Sequence, residues 1–260
     1  MLFSELVATS AAVAESSGRL KKIELLATCL RQMLPDERAI GARYLAGEVP
    51  QKTQVGYAQL VEARAVPPSE APYLGLSEID RRLTELAELL GAGSAQARKE
   101  QLGALFALAT AREQVLLAGL IVGEVRQGAL DGLVLEAIAR AGELPIDIVR
   151  RAYMLSSDLG EVAAVALEGG AAELGRYGLT LFRPIMPMLA QTADDAAGAL
   201  ELLDGEASFE LKLDGFRVQI HKDGDDVRAF SRGLNDVSHF APEIIDAVRA
   251  MPARRLVLDG

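Results

Sequence analysis

Glu210, Lys212 and Asp214 stand on alternate positions and are followed by Gly215 and Arg217; no other stretch of the sequence has so clear a chemistry. Phe209, Leu211 and Leu213 interleave with them, so a strand would carry the charged set on one face and the apolar set on the other. A solvated edge strand would show the same alternation. The fixed pattern Lys-x-Asp-Gly-x-Arg is more specific: at a usage of roughly 5–7% per residue, a chance match is expected about once in several hundred proteins. A lysine forms a covalent adduct only as the free amine, so burial or neighbouring positive charge must lower its pKa. Arg217, Arg232 and a bound metal are the candidate sources of that charge. Such an amine attacking the α-phosphate of ATP would displace pyrophosphate and keep AMP on a P–N bond, a transfer driven by positioning and charge neutralisation. Glu210, on the lysine's face, could accept from the amino group of an adenine. Gly215 removes a side chain where the backbone must turn or approach a nucleotide. Asp214 could hold Mg²⁺ through water or cap the turn at Gly215, and the sequence leaves both open.

Two kinds of element must position these residues, and the sequence changes character near residue 180. Ile23, Leu26, Ala27, Leu30 and Met33 keep the three-four spacing of an apolar helical stripe. Leu83, Leu86, Ala87 and Leu90 do the same and run into Gly91 and Gly93, a helix stop. Pro35, the Pro67-Pro68 pair and Pro145 are placed to begin or end helices. Residues 1–175 therefore read as an all-α domain. Residues 22–49 and 99–125 resemble each other: both open on Lys, carry Leu three residues on and close on Gly-Glu-Val. Composition alone could produce such a likeness. A duplicated helical unit would instead place loops near Gly47 and Gly123 on one face, suited to a pseudo-symmetric partner such as a duplex.

Beyond residue 180 the period becomes two. Phe216, Val218 and Ile220 alternate with Arg217, Gln219 and His221, and Lys222-Asp223-Gly224-Asp225 is a hairpin turn. Strands over Val227–Ser231 and Arg255–Leu258 and a helix over Pro242–Met251 complete an α/β region with a mixed sheet. The predicted organisation is multidomain: helices over 1–175, a linker and opening segment over 176–190, and an incomplete α/β domain over 191–260.

Composition sets limits on partners. The formal charge of −10 mildly disfavours nucleic acid, because phosphate binding draws on basic surface. Binding uses one face only, so the total does not exclude it. A single cysteine, Cys29, excludes an intramolecular disulfide and fits a reducing cytosol, and its place in a helical stripe makes it a core residue. The opening Met1-Leu2-Phe3-Ser4-Glu5 lacks the basic start of a secretory signal, and no apolar run approaches a membrane span. A cytoplasmic protein without a membrane partner is expected. His221 and His239 lack ligands at metal spacing and read as structural. Asp223, Asp225 and Asp226 read as a solvated turn.

The segment Lys212-Leu213-Asp214-Gly215-Phe216-Arg217 resembles motif I of the covalent nucleotidyltransferases, the superfamily of DNA ligases, RNA ligases and mRNA capping enzymes. Further landmarks follow in order. Ser231-Arg232-Gly233 resembles the ligase element whose arginine contacts the nucleotide, and Leu258-Asp259-Gly260 resembles the opening of the Asp-Gly-Glu motif. Pro187-Met188-Leu189-Ala190 resembles the stretch that opens the ligase adenylation domain. NAD-dependent ligases typically lack the arginine two residues after the motif I glycine, so Arg217 favours ATP. Capping enzymes and many RNA ligases lack a large helical domain before the lysine. Here residues 120–130, with Gly123, Arg126 and Gly128, resemble the family's Gly-x-Leu-Arg-x-Gly loop, with Val125 in place of leucine. Ser156 to Ala163, containing Asp158-Leu159-Gly160, resembles a stretch late in the same DNA-binding domain.

The resemblance implies an ATP-dependent DNA ligase of the replicative type, working in DNA replication, repair or recombination. It implies Lys212 as the residue that takes up AMP, with Glu210, Arg217 and Arg232 binding ATP and Asp214 touching Mg²⁺. It also implies Gly123, Arg126 and Gly128 at the minor groove of nicked duplex DNA, in a monomeric enzyme. Gly123 and Gly128 would let backbone amides approach phosphates, and Arg126 could enter the groove without reading sequence. The family's glutamate, later motifs and OB-fold domain would follow Gly260, so this chain is expected to be a fragment unable to complete ligation, with exposed sheet edges. A non-catalytic DNA-binding module, a helical interaction scaffold and an RNA ligase or capping enzyme are the competing readings.

Overall fold

The computed structural model describes residues 1–125, 131–187, 192–203, 205–208, 211 and 214–260. The described chain is helix-rich with a small antiparallel sheet, and it divides into two compact units. One comprises Met1–Tyr153 and Asp158–Tyr177, the other Met154–Ser157 and Gly178–Gly260.

The first unit contains α1 (Phe3–Glu15), α2 (Arg19–Gln32), α3 (Arg38–Ala46), α4 (Tyr57–Arg64), α5 (Leu76–Glu88) and α6 (Ser94–Leu108). α7 (Ala111–Val122), α8 (Asp131–Ala141), most of α9 (Ile146–Ser156) and α10 (Leu159–Leu174) follow, with a break in α10 at Gly170. The stripe expected on α2 is buried: Ile23, Leu26, Ala27, Leu30 and Met33, together with Cys29; of the stripe expected on α5, Leu83 and Leu86 are buried beside Leu76 and Ile79, and Ala87 is half-buried. Each fully buried leucine contributes roughly 1.5–3 kcal/mol of transfer free energy. α2 packs on α8 and α3 on α10, around one continuous core. Polar residues set the ends. Thr110 and Glu113 form a reciprocal cap on α7, with Thr110 N–H donating to Glu113 Oε2 at 2.8 Å. One expectation fails here. Leu90 is not in the α5 stripe, because the helix stops at Glu88 and the chain turns through Gly91 with φ 85°, leaving Leu90 exposed.

The α3–α10 crossing explains the Asp158-Leu159-Gly160 stretch. Asp158 caps α10 by accepting from Glu161 N–H at 2.9 Å and takes two bonds from Arg43 Nη2, both 2.8 Å. Burial opposes the Asp158 charge, but the Arg43 and backbone hydrogen bonds prevail and hold its pKa below the ordinary carboxylate value. Gly160 lets α10 approach α3 closely: a Cβ there would lie 2.5 Å from the Ala39 carbonyl oxygen and 2.7 Å from the Arg43 guanidinium carbon.

The second unit contains α11 (Ala196–Leu202), β1 (Val218–Asp223), β2 (Asp226–Ser231), α12 (Pro242–Arg249) and β3 (Arg255–Asp259). The strand order is β2-β1-β3, and both pairings are antiparallel, so the described sheet is not the mixed one expected. The physical reason is connection: a two-residue turn at Gly224 and Asp225, with Gly224 at φ 61°, reverses β1 into β2, and α12 returns the chain to the far edge in β2's direction. Ile220, Val227, Ala229, Ile245 and Val248 make a small core between sheet and helix. Lys222, expected in the turn, is a strand residue buried beneath α12. Its ammonium donates to the carbonyls of Val248, Arg249 and Met251 at 3.0, 2.9 and 2.6 Å, which caps that helix's negative end.

The alternation expected around the lysine is only partly matched. Phe209, Glu210, Lys212 and Leu213 lie outside the described residues. Leu211 and Phe216, assigned by pattern to a packed face, are 90% and 97% exposed. The paired strand begins only at Val218, so neither faces an opposing layer among the described residues.

Candidate nucleotide and nucleic-acid sites

The antiparallel topology brings three separated sequence landmarks to one end of the sheet. Arg217 immediately precedes β1, Arg232 immediately follows β2, and Asp259 ends β3. Val218 pairs with Ser231, so Arg217 and Arg232 fall one position beyond that pair; Gln219 pairs with Asp259 on the other side. Arg217 grips Asp259 side-on, Nε to Oδ1 at 2.8 Å and Nη2 to Oδ2 at 2.6 Å. The hydrogen bonds from Arg217 hold the Asp259 carboxyl below its ordinary pKa. The pair is partly exposed, so it adds little stability; what it fixes is the plane of the guanidinium. Sequence reasoning named Asp259 only as part of a motif and missed this pairing. No local signal could have found it, because the two residues meet only through the strand order β2-β1-β3.

Asp214, Gly215 and Arg232 are exposed. Among the described residues no group of three or more His, Cys, Asp or Glu side chains could hold a metal. A single open carboxylate at Asp214 fits Mg²⁺ carried mainly by phosphate oxygens, not an all-protein cage. Lys212 and Glu210 lie outside the described residues, as do Arg126 and Gly128.

The two Gly-Glu-Val turns have the same geometry. Gly47 (φ 83°) ends α3 and Gly123 (φ 69°) ends α7, both left-handed. Glu48 N–H reaches back to Arg43 O and Glu124 N–H to Gly119 O, each at 2.8 Å; Gly47 N–H bonds Tyr44 O and Gly123 N–H bonds Leu120 O. Both are Schellman closures. The turns are also neighbours: a Cβ on Gly47 would lie 3.1 Å from Val125 Cβ. The amides of Gly123 and Glu124 are thus spent on the helix end. Gly123 redirects the chain at the end of α7.

Comparison with known proteins supplies the context. Residues 54–139 match the family model described as DNA ligase N terminus, and residues 187–260 match that described as ATP dependent DNA ligase domain. A "Probable DNA ligase" of Anaeromyxobacter dehalogenans (strain 2CP-1) is 49% identical over 263 residues, covering all of this chain and 51% of that protein. Proteins of the same name from Anaeromyxobacter sp. (strain Fw109-5) and Sorangium cellulosum are 50% and 47% identical, again over the whole chain. The chain spans about half the length of these curated relatives. A solved structure titled "Pmar-Lig_PreS3" superposes with a TM-score of 0.52 at 16% identity, over 98% of this chain and 49% of that one, which speaks to the fold alone. With both family models matched in chain order and relatives aligned along the whole of this chain, the chain belongs to the ATP-dependent DNA ligase family.

Proposed function

We propose that this chain forms the front of an ATP-dependent DNA ligase, in which residues 1–175 hold nicked duplex DNA and residues 191–260 begin the nucleotide site. One observation carries this reading: Arg217, Arg232 and Asp259, separated in sequence, converge at the end of the sheet where residues 214–217 enter β1.

In the first step the Lys212 ammonium loses its proton to solvent and the free amine attacks the α-phosphorus of ATP. The N–P bond forms, the bond to the bridging oxygen breaks, and pyrophosphate leaves with the electron pair. Arg232 and Arg217 neutralise phosphate charge, which also favours the free amine. When bound, Mg²⁺ would add charge neutralisation, with Asp214 as its protein contact. In the second step a 5′-phosphate oxygen attacks the lysine-linked phosphorus and Lys212 leaves with the N–P electrons, recovering a proton. In the third, the 3′-hydroxyl attacks the 5′-phosphorus, AMP departs and the nick is sealed.

The paired Gly-Glu-Val turns support a pseudo-symmetric grip on a duplex, with Arg126, just beyond the Gly123 turn, reaching the minor groove. Such shape-based contact suits an enzyme that seals nicks in any sequence and needs no overall basic charge. Monomeric action in the cytoplasm completes the reading, in keeping with the lone buried Cys29.

The test is incubation with α-labelled ATP and Mg²⁺. Label is expected on Lys212 and absent from Lys212→Ala; label that persists in the variant removes the nucleophile. A DNA-binding module without catalysis would take no label yet bind nicked duplex. For the DNA-binding half, Arg126→Ala is expected to weaken binding several-fold and to lower the salt slope by about one. Unchanged affinity and slope would remove Arg126 from the interface.

A further inference from the structure

Gln219 and His221 of β1 continue the face on which Arg217 stands just before the strand, yet they are 7% and 0% exposed. The Phe230 ring meets His221 edge-on with centroids 5.1 Å apart, the Phe182 ring lies 6.5 Å away, and the rest of the cover is backbone. His221 Nδ1 accepts from Phe182 N–H at 2.9 Å. Gln219 makes two bonds to one residue, accepting from Ile185 N–H at 2.9 Å and donating to Ile185 O at 2.6 Å, as a neighbouring strand would. The strap's other amides are also engaged: Arg183 N–H bonds Thr180 O at 3.2 Å, and Met186 N–H bonds Met154 O at 2.9 Å. Ser157 Oγ donates to Pro184 O at 2.7 Å, and the Arg228 guanidinium lies 4.8 Å over the Phe182 ring. Pro184 and Pro187 have no amide to satisfy.

The order of these contacts gives the strap a direction. Phe182 lies at His221 and Ile185 at Gln219, so the strap advances as β1 recedes, and residues 186 and 187 continue in the direction of Arg217. Residue 187 is also where the match to the ligase catalytic domain begins.

We propose that Gln219 and His221 are positioning residues for nucleotide binding, holding residues 182–187 in one register so that Pro187 is directed toward the Arg217–Asp259 end of the sheet. The inference rests on that end being the ATP site. Neither side chain touches the nucleotide; they act through the strap. The paired bonds from Gln219 to Ile185 reject a one-residue slip in one direction, because Pro184 in Ile185's place would offer no N–H.

The experiment measures lysine adenylylation by this chain at varied ATP, together with amide hydrogen exchange over residues 182–187, for Gln219→Leu, His221→Leu and His221→Asn. The two leucine variants are expected to raise the KM for ATP about tenfold, with a smaller change in kcat, and to speed exchange at Phe182 and Ile185. His221→Asn restores an acceptor near the Nδ1 position and is expected to recover most of the loss. Unchanged KM beside faster exchange would mean a purely structural strap, and unchanged exchange would mean that these side chains do not hold it; either overturns the proposal. Failure of the ATP reading itself shows differently: the unmutated chain would neither take label nor bind ATP in a titration.

Discussion

The helical unit and the sheet unit put their apolar and polar residues to opposite uses. In the helical unit pattern and burial agree: Leu26, Leu30, Ile79 and Leu83 are spaced for an inner face, and that face is where they lie. In the sheet unit they part. Leu211 and Phe216 are open to solvent while Gln219, His221 and Lys222 are buried. A helix satisfies its own backbone, so its inner face needs only apolar partners. The sheet unit covers β1 with irregular backbone on one side and a helix end on the other. Exposed peptide groups must be met by polar side chains, since an unmet buried group costs about 1–3 kcal/mol.

The largest expected effect tests the closed packing of the helical unit. Gly160→Ala places a methyl 2.5 Å from the Ala39 carbonyl oxygen, so α3 and α10 must move apart. A loss of about 2–3 kcal/mol in denaturant unfolding of the helical unit is expected. A loss under about 0.5 kcal/mol would mean that this crossing gives way easily and the contrast with the sheet unit is overstated.

A smaller effect tests the likeness of the two helix pairs. Gly47→Ala and Gly123→Ala both force a Cβ into a left-handed helix end, at a cost of about 1 kcal/mol each. Gly47→Ala should cost more, because its Cβ would crowd Val125 at 3.1 Å, whereas nothing lies within 4 Å at Gly123. Thermal unfolding of the two variants side by side checks this. Equal losses would mean that the two turns do not press on each other.

How much was legible follows from the same contrast. Helix stripes, the proline boundaries, the hairpin and the order of the motifs were readable, because each depends on residues near one another in sequence. The Lys-x-Asp-Gly-x-Arg pattern pointed to the right family before any geometry was available. The Arg217–Asp259 pairing was not readable, since it needs the strand order β2-β1-β3, which no local signal encodes. His221 was read as structural for lack of metal partners, but what it holds, an amide 39 residues earlier, could not be inferred from spacing. Lys222 was misplaced for a related reason: a lysine beside Asp-Gly looks like a turn residue until a helix end is packed over it.

The smallest expected effect is a pH dependence confined to the sheet unit. Burial holds the His221 pKa below its ordinary 6.5, and Nδ1 must stay unprotonated to accept from Phe182 N–H. Around it Arg228 sits opposite on β2 and Arg183 lies in the strap, while the β3 residue opposite is the uncharged Val257; burial is what lowers the pKa. The unfolded chain takes up a proton below about pH 6.5 and the folded chain does not, so the unfolded state binds more protons as pH falls. Stability is full above that pH and declines below it, by at most about 1.4 kcal/mol per unit of pKa difference, levelling off once pH passes the folded value. The helical unit contains no histidine and lacks this contribution. Unfolding of the sheet unit followed from pH 7.5 to 5.5 should show the decline, and His221→Asn, which cannot titrate, should flatten it. A slope that survives in His221→Asn would place its origin elsewhere and leave the strap indifferent to acid.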